Sequence, residues 1–225
     1  MLIVLEGLDG AGKSTQVKKL KAYLHEKCGK LEYIHFPRYD APLYGDLISR
    51  FLRGDFGSND SVHPQLVALL FAEDRHDAAP IIKKILLEGG TVLLDRYVYS
   101  NIAYQCAKLS DKGEAKRLRD WIFDTEYKLF DESVPDLNIF LDVPISFVKK
   151  NLEKDRVGND RDYLLGAQDI HESSIAFQTK VREIYLQQAA LDPSFKVVNC
   201  SGPEGEMLSS EVIFDKLKSL VDEVL

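Results

Sequence analysis

A continuous apolar run, Leu2-Ile3-Val4-Leu5, leads straight into Gly7-Leu8-Asp9-Gly10-Ala11-Gly12-Lys13-Ser14, which fits G-x-x-x-x-G-K-[ST] at every fixed position. Such a loop tolerates few surroundings. Its glycines let the backbone wrap until its N–H groups converge on an anion, and the helix that follows must aim its positive end at the same point. Lys13 then places a charge on the β- and γ-phosphates, and the Ser14 hydroxyl is a ligand for Mg²⁺. The four fixed positions coincide by chance in on the order of one chain in a hundred of this length. Their place between an apolar strand and an amphipathic stretch sharpens the signal. The loop predicts a bound nucleoside triphosphate and a buried strand that delivers the chain to it.

The remaining pattern agrees with that start. Tyr33–Phe36, Val92–Leu94, Leu137–Leu141 and Val197–Val198 are further short apolar runs, continuous rather than alternating, as in strands of a parallel sheet covered on both faces. Between them the period is helical: Val17, Leu20 and Leu24, then Ile145, Val148 and Leu152 behind Pro144, and a last apolar face from Val212 to Val224. Alternation of this kind predicts an α/β fold, a five-stranded parallel sheet with helices on both faces and right-handed crossovers. All 225 residues are assigned to one domain, without repeat, linker or low-complexity block. One stretch departs from the period. Lys149–Asp169 carries Lys149, Lys150, Lys154, Arg156 and Arg161 among Asp and Gly, which fits either a lid of about 153–168 or a solvated loop. Asp169 and Glu172 are placed to cap the helix expected after it.

Composition narrows the class. Hydrophobic residues make up 45% of the chain, enough for a large core. With 29 Lys+Arg against 36 Asp+Glu, the net charge of −7 disfavours broad binding to nucleic acid or to an anionic membrane, while leaving room for a small polyanion in a basic pocket. Cys28, Cys106 and Cys200 are widely spaced and odd in number, which reads as reduced thiols. No apolar run reaches the roughly 20 residues of a membrane span, and the N-terminal residues do not resemble a signal peptide. A cytoplasmic protein is expected.

A phosphate loop alone does not say what the triphosphate is for. No N-K-x-D is present to read guanine, and the chain is short for a motor. Arginines fall at strand ends, where ligands meet an open α/β sheet: Phe36-Pro37-Arg38 after the second strand and Asp95-Arg96-Tyr97 after the third. Asp95 ends an apolar strand, the position for a second magnesium-organising acid. Phe71 and Arg75 share a helix face at i, i+4, as do Ser100 with Tyr104 and Asn101 with Gln105. These groups could clamp a planar base. Equally, Phe71 could be plain core and each arginine a surface ion pair.

Taken in order, the pieces resemble the thymidylate kinase family of nucleoside monophosphate kinases over nearly the whole chain. The matching segments are Glu6 to Thr15, Phe36-Pro37-Arg38, Leu70 to Arg75, Asp95 to Gln105 and Leu141-Asp142-Val143-Pro144. The resemblance implies the P-loop NTPase fold, ATP as co-substrate, Mg²⁺, a homodimer, and phosphorylation of thymidine 5′-monophosphate on the route to dTTP. It further implies that Gly7 to Thr15 hold the triphosphate, with Lys13 catalytic and Ser14, Asp95 and Asp9 near the metal. Phe71 would stack on thymine beside Phe36, Arg75 would donate to a base carbonyl, and Ser100, Asn101 and Gln105 would lie around the base edge. Tyr104 would pack where a ribose 2′-hydroxyl would sit, its ring mattering more than its hydroxyl. Arg38 and Arg96 would hold the acceptor phosphate, and Asp9 would stand between acceptor and metal. Gly10 occupies a position that is arginine in one style of the family, so the catalytic arginine is expected in the lid, at Arg156 or Arg161.

Two rivals remain at this point. A deoxynucleoside kinase phosphorylates a neutral hydroxyl and needs a general base rather than cations around the acceptor. A nucleotide-dependent switch needs no acceptor site at all.

Overall fold

Leu2–Gly7 form β1, and every residue of it is buried, because it lies in the middle of a parallel sheet. The computed structural model describes residues 1–153, 159–172 and 174–225, apart from the side chains of 159–161. The other strands are β2 (Leu31–His35), β3 (Thr91–Asp95), β4 (Leu137–Asp142) and β5 (Phe195–Asn199). They lie in the order β2-β3-β1-β4-β5, and all neighbours are parallel. The register sets Leu5 opposite Asp95 on one side of β1 and Gly7 opposite Leu141 on the other. From β1 the chain first builds one side of the sheet and later the other. That reversal leaves a crevice at the carboxyl ends of β1 and β3. The phosphate loop and Asp95 both open into it.

The helices bury the faces their spacing predicts. In α1 (Lys13–Lys27) the inward residues include Val17, Leu20 and Leu24, and this helix packs on α8 (Ser210–Asp222). On α3 (Pro64–Leu87), Pro64 takes the first turn, where its missing N–H costs nothing. α4 (Val98–Cys106) is buried along its whole length, enclosed by α3, α5 (Lys112–Phe123) and α7 (Ile175–Leu191). The short helices α2 (Tyr44–Leu52) and α6 (Ile145–Leu152) flank the crevice, and α5 runs on into a π-helical turn over Asp124–Leu129. A second, smaller core of Ile48, Phe51, Leu52 and Val67 joins α2 to α3.

Two local expectations change. β2 ends at His35, so Phe36 and Pro37, joined by a cis peptide, leave the sheet and turn toward the crevice. The helix after the charged stretch begins at Ile175, and its cap is Ser174, whose Oγ accepts from Phe177 N at 3.2 Å. Asp169 instead accepts from the Tyr163 hydroxyl and from His171 N, both at 2.8 Å, which folds the chain back before the helix starts. Among the described residues no helix is long and apolar enough to cross a membrane.

Candidate active site

The phosphate loop has the backbone its glycines allow. Gly10 and Gly12 sit at φ 74° and 79°, the left-handed region that side chains resist, and Gly12 ends the loop as the residue before α1. Lys13 folds over this loop, its Nζ donating to the carbonyls of Leu8 at 3.2 Å and Gly7 at 3.4 Å. Burial, aided by the positive charge of Arg96, pulls the Lys13 ammonium down to about 8. An arriving anion reverses that shift.

Beside the loop is a cavity of about 630 Å³ whose walls include Gly10, Ala11, Gly12, Lys13, Ser14 and Asp95. Gly7, Leu8 and Thr15 are not among them, and the Leu8 side chain belongs to the core. Asp95 faces His35, with 3.3 Å between Oδ2 and Nδ1, while its Oδ1 is buried without a hydrogen-bond partner among the described residues. Burial would raise this carboxyl, but the Lys13 charge and the His35 bond outweigh it and hold it low. The result is an ionised carboxylate on the wall of the phosphate-loop cavity.

Arg96 joins this cavity to a second one. Its backbone lies at φ 71°, a strained position for a residue with a side chain. Its Nη1 donates to Gly7 O at 2.9 Å and Ser100 Oγ at 3.2 Å, and its Nη2 to Asp9 Oδ1 at 2.6 Å. The other oxygen of Asp9 accepts from Tyr104 OH at 2.7 Å and from Gln178 Nε2 at 3.0 Å. Burial would raise Asp9, yet Arg96 and then Lys13 hold it at about 2. Both oxygens of Asp9 are therefore engaged, whereas Asp95 keeps one without a partner among the described residues. Glu6, buried at the end of β1, accepts from Tyr97 N, Ser100 N, Ser100 Oγ and Tyr185 OH. It thus caps α4 from another element and fixes how that helix faces the loop.

The second cavity gathers Phe36, Phe71, Arg75, Asn101, Tyr104 and Gln105 with Asp9, Arg96 and Ser100. Arg75 is held inside by Glu126 of the π-helical turn, which takes its Nε and Nη2. Nη1 makes no hydrogen bond among the described residues. Asn101 Nδ2 donates to Ala68 O and Glu126 Oε1, both at 2.9 Å. Since both partners are acceptors, the amide orientation is fixed and Oδ1 is turned away from them, buried and partnerless. Gln105 Oε1 is likewise buried without a partner. Ser100 lines the cavity, but its hydroxyl is engaged by Glu6, Tyr185 and Arg96, so it serves to build the wall.

Arg38 lines neither cavity, although Pro37 and Tyr39 on either side of it line the second. Its Nε and Nη2 bind Asp74 and its Nη2 also reaches Asp77 at 2.6 Å, tying the segment after β2 to α3. Arg156 and the side chain of Arg161 lie outside the described residues. Several groups of the site leave no local trace in the sequence. Tyr39 and Tyr163 stack with centroids 3.8 Å apart at one edge. Asp169, pushed up by burial and by the charge of Asp9, shares the wall with His171. All come from segments without periodicity.

The chain as a whole has known relatives. The Thymidylate kinase family model matches residues 5–211. A probable thymidylate kinase of Thermococcus kodakarensis is 31% identical over 230 residues, covering 100% of this chain and 98% of its own. One from Pyrococcus horikoshii, also described as probable, is 35% identical over 202 residues, with 88% and 86% covered. The solved structure of thymidylate kinase from Candida albicans superposes with a TM-score of 0.71 at 27% identity, over 99% of this chain and 91% of that one. With a family model spanning the phosphate loop, both cavities and the last helix cap, and relatives aligned along the full sequence, the chain belongs to the thymidylate kinase family.

Proposed function

We propose that the chain moves the γ-phosphoryl group of ATP onto the phosphate of thymidine 5′-monophosphate, giving the diphosphate and ADP. The observation that carries this is the sharing of Asp9 and Arg96 by both cavities. An acceptor in one and a triphosphate in the other meet across a single guanidinium. Phosphoryl transfer asks mainly for positioning and neutralisation, and the walls supply both. Lys13 and the loop amides take the donor phosphates, Arg96 stands between donor and acceptor, and a lid arginine, Arg156 or Arg161, completes the neutralisation.

The acceptor wall suits a 4-oxopyrimidine. Asn101 Oδ1 can accept N3–H while the free Nη1 of Arg75 donates to the adjacent carbonyl, with Phe71 offering its face to the ring. Cytosine would present an unprotonated N3 and an amino group to the same pair, leaving buried groups mismatched. Mg²⁺ fits the other side. Asp95 has a buried, ionised and open oxygen, and Ser14 lies on the same wall. No group of three His, Cys, Asp or Glu able to hold a metal occurs among the described residues, and Mg²⁺ bound through nucleotide phosphates and its own waters needs only one or two side chains. When bound, the ion neutralises charge on the β- and γ-oxygens.

A coupled ADP-release assay with thymidine, thymidine monophosphate and the other nucleoside monophosphates tests this. Best turnover is expected with thymidine monophosphate. Turnover without an acceptor, or best turnover with thymidine, would overturn it.

A further inference from the structure

At the wall of the acceptor cavity the rings of Phe71 and His171 face one another at 21°, with centroids 6.4 Å apart. Both rings line that cavity, so whatever fixes them fixes two of the surfaces offered to a planar base. Both rings lean on Phe51 of α2, at 88° and 70°, with centroid distances of 6.4 and 5.6 Å. Phe51 is only 1% exposed. Over its ring lies Nζ of Lys108, two residues past the end of α4, at 4.9 Å from the centroid.

That ammonium is out of place by ordinary standards. Its nitrogen is buried and has no hydrogen-bond partner among the described residues. A Met or Leu would cover the phenyl face without removing a charge from water. A desolvated charge kept against a ring beside a binding cavity marks a functional constraint rather than a packing solution.

The geometry points to Lys108 as a positioning residue for the acceptor base: its cation, seated on Phe51, fixes the ring against which Phe71 and His171 stand, and so sets the surfaces offered to the pyrimidine. This rests on the acceptor reading given above. Two groups face Lys108. Asp60, from the loop between α2 and α3, favours the ammonium, and His171, from the segment before α7, shares its surroundings. Burial draws Lys108 down to about 7, so the cation is present below that pH and lost above it. Burial first, and then the Lys108 charge, keeps His171 low at about 3, so its ring stays neutral and free to stack.

The test is Lys108→Met in the full chain, with KM for thymidine monophosphate, KM for ATP, kcat and Tm measured across neutral pH. Losing the cation–π contact is expected to raise the acceptor KM about two- to thirty-fold below pH 7. The difference from the wild-type chain should shrink above pH 7, with kcat and KM for ATP unchanged and Tm equal or higher. Lys108→Arg, which keeps the charge, should restore the low KM and abolish its change near pH 7. Phe51→Leu should raise the acceptor KM as well, and adding Lys108→Met to it should do nothing more. An unchanged acceptor KM in Lys108→Met, or a parallel loss of kcat, ATP binding and Tm, would overturn the proposal. Failure of the wild-type chain to phosphorylate thymidine monophosphate would instead remove the acceptor reading beneath it.

Discussion

Arg75 and Glu126 meet through two parallel hydrogen bonds, Nε to Oε2 at 2.5 Å and Nη2 to Oε1 at 2.8 Å, with side chains 2% and 0% exposed. On the proposed acceptor reading, the arginine that donates to the base is thereby aimed by a carboxylate from another element. Removing one partner strands the other charge in the interior, so Glu126→Leu should cost about 3–5 kcal/mol of stability. The double change Arg75→Leu, Glu126→Leu removes both charges and should recover much of that loss while leaving thymidine monophosphate binding abolished. Urea unfolding of the wild-type chain, Arg75→Leu, Glu126→Leu and the double variant decides it. Additive losses in the double variant would contradict the pairing.

Arg96 combines a left-handed backbone with contacts to Gly7, Ser100, Asp9 and Tyr104. Arg96→Ala removes every side-chain contact but keeps the strain. Arg96→Gly removes both. Turnover should fall about 10²–10³-fold in each, as for other charge-stabilising donors. The glycine variant should be the more stable of the two by about 1–2 kcal/mol. Equal stability would show that the backbone there is not strained, and near-normal turnover would remove Arg96 from the chemistry.

Tyr104 changes from its sequence reading. Expected to act through its ring, it also donates its hydroxyl to Asp9 at 2.7 Å and stands 3.4 Å from Arg96 Nη2. A hydrogen bond to a charged group contributes about 1.5–3 kcal/mol, partly covered here by Gln178 on the same oxygen. Tyr104→Phe should therefore raise KM for thymidine monophosphate by about tenfold, and Tyr104→Ala by more. Steady-state kinetics with both variants would show whether the hydroxyl is silent.

What could be read from the sequence follows from how local each signal is. β1, β3 and β4 were legible because strands covered on both faces are continuous apolar runs, the edge strands β2 and β5 only through their shorter runs Tyr33–Phe36 and Val197–Val198, and the phosphate loop because its fixed positions lie within eight residues of chain. Helical spacing put Phe71 with Arg75 on one helix face and Asn101 with Gln105 on another, the resemblance joined the two faces, and the structure brings these four to one cavity. The supports of that wall were not legible. Glu126 is 51 residues from Arg75, and Glu6 is 94 from Ser100. Pairings made only by the closed fold leave no period. Arg38 is a similar case: its strand-end position was legible, but its partner Asp74, one residue before Arg75 on α3, was not.

Lys13 gives the clearest dependence on pH. In the free protein its ammonium is held at about 8, first by burial and then by Arg96. A bound triphosphate adds negative charge beside it and raises that value, so only the protonated form is the binding form. Affinity for ATP should thus be flat below pH 8 and fall as pH rises through and beyond it. Binding above pH 8 should take up close to one proton. Calorimetry in two buffers of different ionisation enthalpy measures that uptake directly. Lys13→Arg, whose charge does not titrate in this range, should bind without it. Proton uptake equal in the two proteins would assign the titration to another group.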